Sequence, residues 1–259
     1  MMKKLRLAPS VAILAGWLCT AFLILPFVSL LLHLSWRNIW SVWIESGGTP
    51  LFYSLWSTAI SLCVTLLFGT PLGWYLARGQ GILWKAIEIL LLIPLLMPPL
   101  VIGLLLVYFY GPYGIMGHLL THFGLSATNT ILAVVLAQLY ESVPYYVFAA
   151  QAAFSQIDIK FERISLSLGV SPWQTLRRVI FPLARPGLLI GFAMAFARAI
   201  GAFGAVIVVA YYPNTLPVSI WIALEEQGLP SALPLALLLI LVALPLPLAT
   251  VLWRRVHHD

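Results

Sequence analysis

The sequence predicts an all-α membrane protein with six transmembrane helices, on the evidence of its composition and the length of its apolar runs. Of the 259 residues, 62% are hydrophobic and 8% are charged, with a mean hydropathy of +1.01. Soluble domains average about 25% charged residues, and a chain of this length cannot hide so much apolar surface from water. The apolar runs last roughly 20 residues without alternating, which is typical of spanning helices and not of barrel strands.

Six apolar segments are long enough to cross a bilayer. The first follows a basic N-terminus but exceeds the apolar core of a signal peptide, so we interpret it as an uncleaved helix. Prolines inside later spans predict kinks, because neighbouring membrane helices can satisfy the carbonyls that proline frees. Adjacent Pro98 and Pro99 make the third span the one most expected to be broken. The predicted spans are 8–32, 51–76, 88–110, 129–150, 187–209 and 232–253.

The distribution of positive charge orients these spans. Of the 14 lysines and arginines, all but Arg37 and Arg198 lie at the N-terminus, after the second span, between the fourth and fifth spans, or in the tail. Both termini are therefore predicted to be cytoplasmic, and residues 1–259 to form a single transmembrane domain. The net charge of +6 is explained by this topology and does not indicate a nucleic-acid partner.

The two cysteines and the histidines do not indicate a metal or disulfide site. Cys19 and Cys63 fall inside predicted spans without metal-ligand spacing, so we expect buried, unreactive thiols. His118 and His122 are four residues apart, but no third ligand is apparent near them. The sequence therefore predicts no metal centre.

The longest cytoplasmic loop, residues 155–186, has the pattern of two short surface helices. An amphipathic stretch at 158–168 stops at Gly169, the residue type that most often closes a helix in a left-handed conformation. Ser171 follows at the position of an N-cap, with Pro172 at the first helical position.

The second of these helices is predicted to end near Val179, before Pro182 and Pro186 lead into the fifth span. Two short helices joined by a tight turn would form a compact projection that docks into a groove of another protein. The alternative is an interfacial helix pair lying among lipid headgroups.

This loop resembles the cytoplasmic coupling segment of binding-protein-dependent ABC importer permeases, and we call residues 155–186 the coupling segment. The family signature is E-A-A, three residues, Gly, nine residues and I-x-L-P, and here Gly169 and nine residues precede Val-Ile-Phe-Pro at 179–182. Glu162 lies one position before the place of the signature's Glu, and other residue types replace the signature's two alanines. The resemblance implies that the contacts to an ATP-binding partner come from Glu162, Arg163, Ser165, Gly169, Ser171, Pro172 and Trp173.

Two further segments resemble the molybdate, tungstate and sulfate permeases of this family. The run L-M-P-P-L-V-I-G at 96–103, followed by G-P-Y-G at 111–114, is similar to their third-span region. R-A-I-G-A-F-G-A at 198–205 is similar to their fifth-span motif, and Y-Y-P at 211–213 to the molybdate and tungstate branch. Ala202 departs from the motif, which usually has Glu, so no carboxylate role carries over.

The resemblance implies the type I ABC importer permease fold, in the cell membrane of a prokaryote, surrounded by lipid. The expected partners are a second copy of the chain, a pair of ATP-binding subunits, an external solute-binding protein and an oxyanion cargo, molybdate or tungstate. Sulfate or another small solute is the alternative cargo. No cofactor is expected on this chain, since the sequence lacks the G-x-x-x-x-G-K-[ST] loop that cradles phosphates, and ATP and magnesium would belong to the partner.

Two other classes of function fit less well. An intramembrane enzyme acting on lipid phosphates would need a cluster of His, Asp or Arg at one membrane face, and no His/Asp pair accompanies Arg198. A stand-alone channel would have no use for the coupling segment.

Two charged residues, Glu141 and Arg198, are predicted to lie near mid-depth in the membrane, where a charge costs at least several kcal/mol. They could pair across adjacent helices, either as a structural ion pair or with the arginine as a cargo ligand. Phe203 could plug the pathway while Gly204 allows close helix approach. The candidate pathway and gate residues are Glu141, Arg198, Ala202, Phe203, Gly204, Pro98 and Pro99.

Overall fold

The computed structural model describes residues 9–34, 36 and 39–256, and the regular elements among them are all helices. Two of the helices, α2 and α8, each contain one π-helical turn, at Trp43–Gly47 and Leu176–Ile180. In chain order they are α1 Pro9–His33, α2 Ile39–Arg78, α3 Ile82–Leu96, α4 Pro99–Tyr110, α5 Ile115–His122, α6 Ile131–Ser155, α7 Lys160–Ser167, α8 Pro172–Ile200, α9 Gly204–Val209, α10 Leu216–Gln227, α11 Leu229–Ala243 and α12 Pro245–Val256.

The described helices confirm the all-α membrane fold. Five stretches are long and apolar enough to span a bilayer, within α1, α2, α6, α8 and the α11–α12 pair. Helices α3 and α4 meet this test only as a pair, and they are bent by 113° at the Met97–Pro98 break. The predicted break of the third span is therefore confirmed. The basic residues Lys3, Lys4, Arg6 and Arg37, used above to orient the spans, lie outside the described residues.

Helix α6 is the centre of the bundle and packs against α2 on one side and α8 on the other. The contact with α2 is close: a methyl group built on Gly73 would lie 2.6 Å from the Cβ of Ala150. Lipid provides no hydrophobic force between helices, so small residues that allow backbones to approach supply the packing energy.

Buried polar groups join α2 to α6. Ser61 Oγ donates to Gln138 Oε1 at 3.0 Å, and Gln138 Nε2 donates to Thr58 Oγ1 at 3.2 Å. Further along α2, Ser54 Oγ accepts from the backbone N–H of Leu216, at the start of α10, at 2.7 Å. An unsatisfied polar group in hydrocarbon costs several kcal/mol, so these bonds hold the helices in one register.

The prediction of a helix ending near Val179, and of a single fifth span over 187–209, was wrong. Helix α8 continues through Pro182 as far as Ile200 because a π turn precedes the proline. There the Phe181 N–H donates to the carbonyl of Leu176, five residues back, and the wider turn gives the Pro182 ring room. The chain then leaves the helix at 201–203 and starts again in α9.

The last span is also interrupted, at Leu244, next to Pro245, where a proline kink was predicted.

The prediction that Cys19 and Cys63 are buried was wrong: both are free thiols on the exposed surface of the chain. A membrane helix presents an apolar face to lipid, so an apolar residue type in a span does not indicate burial in the protein.

Candidate functional site

The breaks of the third and fifth spans lie against each other. Gly204, the first residue of α9, packs on the proline that begins α4: a Cβ at Gly204 would lie 2.7 Å from Pro99 Cβ. Glycine is therefore needed at this position for the two broken spans to approach. Helices α4 and α9 then continue in contact, with Ile102 and Val206 in one buried cluster.

A cavity of about 360 Å³ lies beside this contact, and we call it the Arg198 cavity. Its walls come from both breaks and from the middle of α6. Six of the seven candidate pathway residues line it, and the sequence missed Leu100 and Gly201, each adjacent to a predicted residue. The lining residues are Pro98, Pro99, Leu100, Glu141, Arg198, Gly201, Phe203 and Gly204.

Ala202 is the pathway candidate that does not line the cavity. Its side chain is buried and packs into the apolar cluster around Ile102 and Val206. This placement suits alanine, because a carboxylate would be buried among apolar side chains here unless a partner came with it.

The predicted pairing of Glu141 with Arg198 is confirmed. Arg198 Nη2 lies 2.8 Å from Glu141 Oε2; the glutamate side chain is fully buried, whereas the arginine side chain is 32% exposed. Neither carboxylate oxygen of Glu141 has a hydrogen-bond partner among the described residues, nor does Arg198 Nε, so the contact is an ion pair without hydrogen-bond geometry. The cavity wall therefore contains a fully buried carboxylate and a partly exposed guanidinium.

At the other functional region, the structure gives the coupling segment the helix–turn–helix form that its sequence predicts. Helix α7 is closed by Gly169 at φ +77°, a left-handed conformation that glycine adopts without strain. Ser171 Oγ then accepts from the backbone N–H of Gln174 at 3.3 Å, as an N-cap does, with Pro172 in the first turn.

The coupling segment exposes a set of large apolar side chains. Trp173 is 68% exposed at the start of α8, and Ile164 on α7 and Leu168 just after α7 are also exposed. Arg163 is exposed beside them, whereas Glu162 and Ser165 are half-buried. An apolar projection rimmed by charge is a surface that another protein can cover.

One arginine outside the predicted site fixes the coupling segment to the bundle. Arg78, the last residue of α2, donates from Nε to Glu162 Oε1 at 2.8 Å and from Nη2 to the carbonyl of Ile157 at 3.0 Å. The side chains of both charged residues are less than one-fifth exposed. The sequence indicated only that Arg78 ends a predicted span, so its two partners could not be anticipated.

These features together define a class of protein. Broken spans around a cavity, with a helix–glycine–helix projection at the end that carries the positive charge, are typical of a membrane permease. The chain belongs to the family described as binding-protein-dependent transport system inner membrane component, which matches residues 69–258.

Relatives with assigned cargo share much of the chain. A probable molybdenum ABC transporter permease protein of Haloferax volcanii is 40% identical over 190 residues, which are 73% of this chain and 69% of the relative. The molybdenum transport system permease protein ModB of Mycobacterium bovis is 34% identical over 227 residues, 86% of each chain. A probable sulfate transport system permease protein of Chlorokybus atmophyticus is 33% identical over 216 residues, 79% of this chain and 74% of the relative.

A solved structure confirms the type I ABC importer permease fold. A chain in the crystal structure of the bacterial alginate ABC transporter, in complex with an alginate pentasaccharide-bound periplasmic protein, superposes with a TM-score of 0.71. The match covers 93% of both chains at 17% sequence identity, so it is the fold that the two proteins share. The chain is a multi-pass membrane protein of this type.

Phe203 gives a first test of the Arg198 cavity. Its ring lines the cavity and packs on Trp221 of α10, with ring centroids 5.6 Å apart. An aromatic pair contributes about 0.5–1.5 kcal/mol beyond its buried area, so we expect Phe203→Ala to lower cargo uptake by roughly two- to tenfold. Uptake by proteoliposomes would be compared with that of Phe109→Ala, a change on α4 outside the cavity lining. Equal uptake by both variants and the unmodified chain would remove Phe203 from the pathway.

Proposed function

We propose that this permease carries a tetrahedral oxyanion, molybdate or tungstate, into the cell. The observation that carries the proposal is the Arg198 guanidinium at the surface of a cavity between two broken spans. In transporters, broken helices at mid-membrane commonly form the cargo site, and an intramembrane arginine is a default functional group.

The choice among oxyanions depends on the relatives. The relative that is 40% identical is named for molybdenum, and the sulfate relative is 33% identical over a similar length. Sulfate has the same tetrahedral shape and double negative charge, and it is therefore the second candidate cargo. Arginine binds either anion through parallel N–H···O bonds, so the guanidinium alone does not separate them.

The remaining partners are part of the same proposal. A second copy of the chain would complete the pathway, two ATP-binding subunits would bind ATP and magnesium, and a solute-binding protein would deliver the anion from outside. The coupling segment, with Trp173 and Leu168 exposed, would dock on an ATP-binding subunit. Closure of these subunits would move the segment and rock the helix bundle between outward and inward openings. This chain would supply translocation and no chemistry of its own.

A cargo-dependent ATPase assay tests the proposal. The chain, reconstituted in proteoliposomes with its ATP-binding and solute-binding subunits, would be given molybdate, tungstate, sulfate or phosphate. We expect molybdate and tungstate to stimulate ATP hydrolysis at least about tenfold more than phosphate does, a ratio that corresponds to 1.4 kcal/mol of discrimination. Stimulation by sulfate alone would replace the proposed cargo, and stimulation by phosphate alone or by none of the four would reject it.

A further inference from the structure

We propose that Arg198 is a transit ligand for the oxyanion and that Glu141 competes with the anion for the guanidinium. The inference deepens the proposed function, on which it rests, by assigning the residue that binds the cargo and the residue that limits how tightly it is held. It goes beyond a structural ion pair, because it assigns the guanidinium a contact with the cargo.

The two residues of the ion pair differ in how exposed their side chains are. The Glu141 side chain is fully buried in the wall, whereas one-third of the Arg198 side chain is exposed. A guanidinium has five N–H donors in a planar fork, and the contact of Arg198 with Glu141 involves one nitrogen, Nη2, at 2.8 Å. An anion in the cavity can therefore reach Arg198 while Glu141 holds it from behind.

The half-helix α4 adds to the positive character of this site. It begins at Pro99, and its first residues, Pro99 and Leu100, line the same cavity as Arg198. The N-terminus of a helix carries roughly half an elementary positive charge, and half-helix N-termini face anionic groups in other transporters. This partial positive charge is independent of Arg198, because it comes from the backbone of another span.

The volume of the cavity suits the proposed cargo. At about 360 Å³ the Arg198 cavity is at the lower end of the range of roughly 300–1,000 Å³ that small-molecule sites occupy. A water molecule takes about 30 Å³ in the liquid, so a tetrahedral oxyanion can enter with part of its hydration shell.

Glu141 gives the site the weak affinity that transport requires. A lone arginine in a low-dielectric site would attract a dianion strongly and release it slowly. A pathway works when binding is favourable enough for entry and weak enough for exit. With Glu141 as an internal competitor, the guanidinium is neutralised before the anion arrives and again after it leaves.

Cysteine accessibility can test this assignment without relying on transport. Leu100→Cys would report from the cavity wall in a chain whose exposed native cysteines are replaced (Cys19→Ala, Cys63→Ala), within the complete transporter in nanodiscs. The measurement is the ratio of the modification rates by an anionic and by a cationic methanethiosulfonate reagent. Leu104→Cys, one turn further along α4 and outside the cavity lining, is the matched reporter control.

Two neutral variants give opposite expected results. The anion-to-cation rate ratio at Leu100→Cys should fall about tenfold with Arg198→Gln and rise about tenfold with Glu141→Gln, and at Leu104→Cys it should change little. Molybdate should slow modification at lower concentration in Glu141→Gln than in the parent, and have no effect in Arg198→Gln. If both variants change the two rates equally, or if none of molybdate, tungstate and sulfate protects Leu100→Cys, the pair only holds helices together and the proposal is overturned.

Exchange of the two charges is the second test. The double variant Glu141→Arg, Arg198→Glu keeps an ion pair but turns a carboxylate toward the cavity, so we expect molybdate uptake to fall at least about a hundredfold in a correctly assembled transporter. Normal uptake would overturn the proposal. A wrong cargo can be told apart from a wrong role for Arg198. If the cargo is wrong, the parent transporter would show no molybdate-stimulated ATP hydrolysis. The anion-to-cation rate ratio at Leu100→Cys would still depend on Arg198 and Glu141, and the anion that is transported would protect the cysteine.

Discussion

Replacement of Gly204 by alanine is expected to lower cargo uptake at least about fivefold while the transporter still assembles. The added Cβ would lie 2.7 Å from Pro99 Cβ and 3.3 Å from the backbone nitrogen of Leu100. Neither atom is the end of a flexible side chain, so the two broken spans must move apart. Overpacking of this kind costs about 1–3 kcal/mol, and 1.4 kcal/mol corresponds to a factor of ten. Uptake of labelled molybdate into proteoliposomes measures the effect.

The same substitution at a glycine without neighbours is the control. A Cβ at Gly16, on α1, would meet nothing within 4 Å, so Gly16→Ala should transport normally. Size-exclusion profiles of both variants would show whether each transporter is intact. Full uptake by Gly204→Ala would mean that the contact between the two breaks can open by several tenths of an ångström without effect on transport. Transport would then not depend on the close approach of the two spans.

Features of the site that depend on local chemistry were predictable from the sequence. The break of the third span follows from two adjacent prolines at Pro98 and Pro99, and the turn of the coupling segment follows from Gly169 and the Ser171 cap. The Glu141–Arg198 contact was also predictable, because a charge inside the membrane needs a partner, and the predicted fourth and fifth spans held one charge each, of opposite sign.

The break of the fifth span was not predictable, because its position is set by tertiary packing. A helix end was predicted near Val179, before Pro182 and Pro186, but α8 continues through both prolines, and a π turn accommodates the first of them. The true break at 201–203 contains no proline. It lies where Gly204 meets Pro99, and that contact joins segments about a hundred residues apart in the chain. Local propensity gives no information on such a contact.

Arg78→Met is expected to uncouple ATP hydrolysis from uptake, with at least about tenfold more ATP consumed per molybdate imported. Arg78 fixes the coupling segment to the end of α2 through two bonds, to Glu162 at 2.8 Å and to the Ile157 carbonyl at 3.0 Å. Removal of one partner of a partly buried ion pair leaves the other unpaired, at a cost between the roughly 1 kcal/mol of exposed pairs and the 3–5 kcal/mol of buried ones. ATP hydrolysis and uptake would be measured together in proteoliposomes.

The uncoupling follows from how force reaches the bundle. Motion of an ATP-binding subunit would move α7, and the Arg78–Glu162 ion pair links α7 directly to the end of α2. Arg78→Lys keeps the charge but loses the planar fork that reaches two acceptors, so it should be intermediate. Lys85→Met, an exposed cation at the same end of the bundle, is the control and should remain coupled. If Arg78→Met lowers hydrolysis and uptake in equal proportion, Arg78 only stabilises the fold, and the coupling segment moves the helices by way of the covalent links to α6 and α8 alone.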